Sequence, residues 1–279
     1  MATMANDALN ATMAQMPRPT LITSLTNPRV KEVVKLRRHR TRRTTGLFLA
    51  EGLREVGRAV QAGLRLRELY LCPELLADHA VTWDADRTFE VPADVLVKMT
   101  YHRQPEGVLA VVEEPDGSLE AMPTVDLNTR ILVAVGTEKP GNLGAMVRTA
   151  CAAGFDAVIA SGQSVEPFNP NAIRASTGGV FVMPIVVMTE HETIHWIEQH
   201  QLRVIAATPA GAIDYRQADW SGPLALAIGA EDAGLSDAWL RLADNTHGQR
   251  VALPNAHPWV DSLNASVAAG VLMYEATRD

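Results

Sequence analysis

Cysteine is scarce. Cys72 and Cys151 are the two thiols in 279 residues, too few for a disulfide framework or a structural zinc site. Both read as small buried hydrophobes, and a reducing, cytoplasmic setting is expected. The eight histidines show no ligand spacing with cysteine or acid, so no metal site is expected. Long apolar runs are missing as well. None approaches the ~18 residues that a bilayer span requires, so no membrane partner is expected, although 47% hydrophobic residues are enough for a core. Asn6, Asp7, Asn10 and Gln15 interrupt the stretch from Met1 to Pro19. It therefore lacks the apolar centre of a signal peptide and reads as a flexible tail. Positive charge is also short overall: the net charge of -7 argues against a general affinity for nucleic acid.

That deficit is unevenly spread. Arg29, Lys31, Lys35, Arg37, Arg38, Arg40, Arg42 and Arg43 stand within fifteen positions against Glu32 alone. A concentrated basic stripe on an acidic protein is the local footprint of a phosphate-rich partner, and these eight are the candidate nucleic-acid contacts. A solvated helix face is the plainer alternative, but the stripe lacks acids at helical spacing to neutralise it. Asn27-Pro28 starts the helix, with Pro28 at its first position. Val30, Val33, Val34 and Leu36 give it an apolar side, and Thr44-Thr45-Gly46 breaks it.

The length suggests two domains at ~150 residues each. Residues 1–20 read as the tail and 21–113 as a small α/β unit, with strands at 47–50, 66–71, 89–91 and 108–112. A polar linker covers 114–128. The second domain, 129–279, alternates strands at 131–135, 157–160, 185–188, 202–206, 224–228 and 251–253 with helices, which predicts a mostly parallel sheet. Its helices include about 143–153 and a terminal one from Ser262 to Ala276.

Three junctions in this half carry polar and glycine residues where a strand hands over to a helix. They are Gly141-Asn142-Leu143-Gly144 with Arg148 behind, Gly229-Ala230-Glu231 before Gly234, and Leu253-Pro254 leading to Ser262-Leu263-Asn264. Ligands in open α/β sheets bind at the carboxyl ends of strands, so the three suggest one composite site. Free N–H groups at a helix start, with Arg148 one turn further on, suit a phosphate. Taken singly, each is also an ordinary junction: Arg148 could make a surface ion pair, Glu231 could cap a helix, and Ser262 could be the cap of the last helix.

Together these motifs resemble the SpoU branch of the SPOUT methyltransferases, whose pattern runs Asn-x-Gly with a following Arg, Gly-x-Glu-x-x-Gly, then Pro with a later Ser-Leu-Asn. Asn27-Pro28-Arg29-Val30-Lys31 and Leu47-Phe48-Leu49-Ala50-Glu51-Gly52 resemble the family's L30e-like RNA substrate-binding domain. Arg174-Ala175-Ser176-Thr177-Gly178-Gly179 matches a further stretch common in this branch. The likeness runs from about residue 21 to the end. It implies S-adenosylmethionine-dependent methylation of a ribose 2′-hydroxyl in RNA, a deep trefoil knot in the C-terminal domain and a homodimer. By the same resemblance Arg148 is the catalytic arginine, Asn142 and Glu231 its polar neighbours, and Ser262 and Asn264 the third-motif residues. The donor would lie against Ala207-Thr208, Gly229-Ala230-Glu231, Leu253-Pro254 and Ser262-Leu263. Arginine is normally always protonated, so Arg148 could clamp the adjacent phosphate or, with help, act as the base.

Two-domain chains of this layout usually modify ribosomal RNA, so large-subunit (23S) RNA is the expected substrate, and some confer resistance to ribosome-targeting antibiotics. The alternatives are a tRNA 2′-O-methyltransferase and an inactive RNA-binding module. One loop departs from the pattern. The family's Pro-Met-x-Gly is replaced by Pro254-Asn255-Ala256-His257-Pro258-Trp259-Val260-Asp261 before Ser262. Trp259 there is either part of a tolerated insertion or a stacking platform for a base or the donor's adenine.

Overall fold

The computed structural model describes residues 19–279, apart from 77–78, 80, 116, 163–165, 210–211, 258, 260–261 and 279. The expected tail over 1–18 lies outside the described residues. The first half of the chain contains β1 (Thr20–Leu21), α1 (Pro28–Lys35), α2 (His39–Thr45), β2 (Leu47–Glu51), α3 (Leu53–Gln61), β3 (Leu66–Leu71), α4 (Pro73–Leu76), β4 (Thr88–Glu90), α5 (Ala93–Met99) and β5 (Val108–Glu113). The strands form one mixed sheet in the order β1-β4-β3-β5-β2. β5 runs antiparallel to β2 and β3, while β4 runs parallel to β1 and β3. β5 is apolar without alternation and buried from Val108 to Val112, as a strand covered on both faces must be.

The basic segment is two helices rather than one. Asn27 caps α1 by accepting from the Arg29 N–H at 2.9 Å. The apolar side of α1 ends at Leu36, Arg38 is extended, and α2 then runs to Gly46, a left-handed cap. The break has a local cause. The Arg42 guanidinium reaches back and donates to the carbonyls of Leu36 and Arg37, each at 2.9 Å. These groups at the end of α1 would otherwise lack partners.

The second half contains β6 (Arg130–Val135), α6 (Pro140–Ala153), β7 (Ala157–Ser161), α7 (Pro170–Ala175), β8 (Ile185–Met188), α8 (Glu190–Gln199), β9 (Arg203–Ala207), β10 (Ile213–Asp214), β11 (Leu224–Ile228), α9 (Asp237–Asn245), β12 (Gln249–Ala252) and α10 (Ala265–Ala276). Its sheet runs β10-β12-β9-β11-β6-β7-β8, and each of these neighbouring pairs is parallel. The expected α/β architecture with a mostly parallel sheet is the one observed. α10 starts at Ala265, not at Ser262, because Asn264 is its cap: its Oδ1 accepts from the N–H groups of Ser266 and Val267. α6 starts earlier than the apolar pattern indicates, so Gly141 and Asn142 lie in its first turn.

One apolar core crosses between the two sheets. It includes Phe48, Val56 and Val108 from the first and Leu132, Leu143, Phe168 and Leu226 from the second. Phe48 stacks on Phe168 at 4.8 Å and on Phe181 at 5.6 Å between ring centres. Buried Arg42 donates from Nε to Glu166 Oε2 at 3.1 Å across the same boundary, and His39 Nε2 lies 2.9 Å from the other carboxylate oxygen. Large apolar contact plus a buried ion pair holds the two halves together far more firmly than a polar linker would.

Candidate active site

Three parallel strands end side by side. Ile228 of β11 pairs with Ala207 of β9, which pairs with Val251 of β12. Thr208 N–H donates to the Val251 carbonyl at 2.9 Å. The residues that follow, Thr208, Gly229-Ala230 and Leu253-Pro254, thus share one edge of the sheet, as parallel register requires. The loop after β11 is tight. Gly234 N–H closes on the Ala230 carbonyl at 2.9 Å, and a Cβ on Gly229 would lie 2.3 Å from the Gly234 backbone. Only glycine fits there, because the Gly234–Leu235 backbone fills the space a side chain would need.

Side chains of all three junctions are hydrogen-bonded in a chain. Asn142 Nδ2 donates to Glu231 Oε1. Asn264 Nδ2 donates to Asn142 Oδ1 at 3.2 Å. The Asn264 amide oxygen is occupied by the start of α10, including the Ser266 hydroxyl at 2.6 Å, which fixes the amide orientation. Residues 89 and 122 positions distant from Asn142 meet it here. Ser262 and Leu263 lie exposed just before Asn264. Trp259 is 86% exposed.

Arg148 stands apart from this cluster. Six residues along a helix is about 240° of rotation, so it leaves the face that carries Asn142. It opens instead onto a groove of about 390 Å³ between α6, the Ser176–Gly179 turn, and Arg58 and Gln61 of α3. Arg58 and Gln61 carried no motif in the sequence; their i, i+3 spacing on an exposed helix face was the sole signal.

The basic stripe divides. Lys31, Lys35, Arg38, Arg40 and Arg43 are exposed. Arg29 pairs with Glu68 and lies over the Phe89 ring, and Arg37 donates to the carbonyls of Lys98, at 2.6 Å, and Thr100. Arg42 is 2% exposed and its guanidinium is spent inside the protein, which removes it from the surface contacts expected of the stripe. A second cleft at the domain boundary, of about 180 Å³, is lined by Glu51, Glu55, Glu106, Arg54, His102 and Arg174 among others. Burial holds the Glu51 carboxyl above the ordinary carboxylate range, although it accepts from the N–H groups of Tyr101 at 2.6 Å and His102 at 3.2 Å. Among the described residues no His, Cys, Asp and Glu cluster could hold a metal, and no helix is long and apolar enough to cross a membrane.

The motif spacing and this geometry agree with two family models. Residues 129–274 match the SpoU rRNA methylase family. The chain belongs to that family. Residues 27–110 match the MRM3-like substrate-binding domain that accompanies it here. Among curated relatives of this SpoU chain, a 23S rRNA (uridine(2479)-2′-O)-methyltransferase of Streptomyces viridochromogenes is 31% identical over 264 residues, covering 90% of each chain. Among solved structures, an RNA 2′-O ribose methyltransferase is 38% identical with a TM-score of 0.78, over 92% of this chain and 98% of the other. An rRNA methyltransferase from Sinorhizobium meliloti, solved with AdoMet bound, is 31% identical with a TM-score of 0.82, over 93% and 98%.

Proposed function

We propose that this chain methylates a ribose 2′-hydroxyl of large-subunit ribosomal RNA, with S-adenosylmethionine as donor. The observation that carries this reading is the Glu231–Asn142–Asn264 hydrogen-bonded chain beside the shared edge of β9, β11 and β12. The residues fit the donor: Gly229 lets the loop after β11 fold tightly back on Gly234 and Leu235, and the main-chain segments at Thr208, Gly229-Ala230 and Leu253 follow adjacent parallel strands. Ala207-Thr208, Gly229-Ala230, Leu253-Pro254 and Leu263 would hold it. When bound, it supplies an electrophilic methyl group. Asn142, Glu231 and Asn264 lock the three loops into one frame, which is the positioning that in-line attack needs. Arg148 clamps the phosphate beside the target ribose and so orients the hydroxyl. Ser262, exposed next to this frame, is available to the substrate. Lys31, Lys35, Arg38, Arg40 and Arg43 contact RNA further out.

The same reading includes a trefoil knot in the C-terminal domain, a homodimer and a cytoplasmic location. Val267, Val271 and Tyr274 support the dimer. They expose 52%, 38% and 57% of their surface at helical spacing along α10, an apolar stripe suited to a second copy. The test is transfer of labelled methyl to unmodified ribosomal RNA and to tRNA, with Arg148→Ala alongside. Label in ribosomal RNA that is lost in the variant is the expected result. Label in tRNA alone reassigns the substrate, and RNA binding without label makes the chain a binding module.

A further inference from the structure

The groove onto which Arg148 opens has a second wall that no motif describes. Arg58 and Gln61 are three residues apart on the exposed face of α3, in the N-terminal domain. Arg148 and Cys151 are three apart on α6, in the C-terminal domain. Residues at that spacing share a helix face, so two helix faces oppose each other across the Ser176–Gly179 turn. No carboxylate lines the groove among the described residues. Two other arginines at this boundary are matched: Arg42 by Glu166 and Arg54 by Glu55. Arg148 makes no hydrogen bond or ion pair among the described residues. Arg58 makes one bond, from Nη1 to the Thr177 carbonyl. Two guanidinium groups facing one groove without a counter-charge call for an anion.

Arg58 is also held in position. Thr177 has φ of 53°, a left-handed conformation that β-branched residues avoid, and this turn presents its carbonyl to Arg58. Gly178 follows at φ of 83°. A Cβ on Gly178 would lie 3.0 Å from Arg58 Cδ and 3.2 Å from its Cβ, so the arginine stem rests directly on the bare backbone. The Ser-Thr-Gly-Gly turn therefore docks an arginine of one domain opposite an arginine of the other.

We propose that Arg58 and Gln61, with Arg148, form a binding site for an RNA phosphodiester, to which the N-terminal domain contributes two side chains and the C-terminal domain the third. This rests on the function proposed above. A planar guanidinium fork binds phosphate in two places at once, and 390 Å³ accommodates a sugar-phosphate unit.

The experiment uses the full chain and an unmodified ribosomal RNA transcript. It reads RNA affinity across a salt series, methyl transfer, and S-adenosylmethionine affinity by calorimetry. Arg58→Gln should weaken RNA binding about tenfold and flatten log affinity against log salt by ~0.7–0.9, one phosphate contact, while donor affinity stays unchanged. Arg58→Lys keeps the charge and should restore the slope. Gln61→Glu, which breaks no recorded bond, should weaken RNA binding; Gln61→Arg should tighten it and steepen the slope. Unchanged RNA affinity and slope in Arg58→Gln and in both Gln61 variants would overturn the proposal. An Arg58→Lys slope as flat as that of Arg58→Gln would also overturn it, since the tie to Thr177 rather than the charge would then matter. A wild-type chain that methylates RNA while these variants behave normally sinks the inference alone. A wild-type chain that binds no RNA sinks the function with it.

Discussion

The boundary between the two domains opens in two clefts, and their charges differ. The smaller carries three carboxylates, Glu51, Glu55 and Glu106, beside its cations: Arg54 pairs with Glu55, Glu106 accepts from the Leu53 N–H at 3.2 Å, and Arg174 Nη1 lies 3.2 Å from His102 Nδ1. The larger holds Arg58 and Arg148 with no acid. Matched charge is framework: it fixes loops and gains little from a ligand. Unmatched charge at a groove costs the folded protein something and is recovered when an anion arrives. On the inference drawn above, one cleft holds the geometry of the pair of domains and the other receives the RNA phosphate.

This division sorts substitutions by what they disturb. Arg148→Ala should lower kcat by about 10²–10³, the usual effect of losing one preorganised donor, while thermal unfolding stays where it was; a large stability loss would erase the contrast. Arg42→Ala should do the reverse. It leaves Glu166 facing a cavity and should cost about 3 kcal/mol in a denaturant titration, with the salt dependence of RNA binding unchanged. Neutralising Arg38, Arg40 and Arg43 together should flatten that salt dependence by roughly 2 in slope without touching stability; an unflattened slope would place the RNA elsewhere.

Glu51→Gln sharpens the acidic side. Burial keeps the folded-state carboxyl protonated to higher pH than in the unfolded chain. Its contribution is complete below the ordinary carboxylate value and is lost as pH rises through the folded-state value. The neutral variant lacks that loss, so its stability relative to wild type should improve from acid to neutral pH. Parallel profiles would show that Glu51 does not titrate in this way. The smallest effect is Trp259→Ala, within ~0.5 kcal/mol in stability because the ring touches so little; a drop in RNA or donor affinity with stability intact would identify it as a stacking platform.

Much of this was legible in the residues. Apolar runs such as Ile131–Val135 and Leu224–Ile228 announce buried parallel strands, and the Asn142, Glu231 and Asn264 junctions follow from parallel topology. What stayed hidden depends on distant partners. Arg42 looks like every other cation in its stripe until Glu166, 124 positions on, is beside it. Arg58 has no meaning until the Thr177 turn arrives from the other domain, 119 positions on. The end of α1 was missed because its cap comes from a guanidinium, which no local pattern encodes. Asn264, which caps α10 through its amide oxygen, also donates through its amide nitrogen to Asn142, a contact between residues 122 apart.

The stacked rings of Phe48, Phe168 and Phe181 carry one apolar core from the first domain into the second. A molecule built this way works as a gauge. On the function proposed above, that shared packing fixes the span from the exposed cations of α1 and α2 to the sheet edge at Gly229. Selection of a nucleotide then becomes a matter of measured distance: an RNA whose recognition element lies one helical turn nearer or farther presents the wrong ribose, however well it binds.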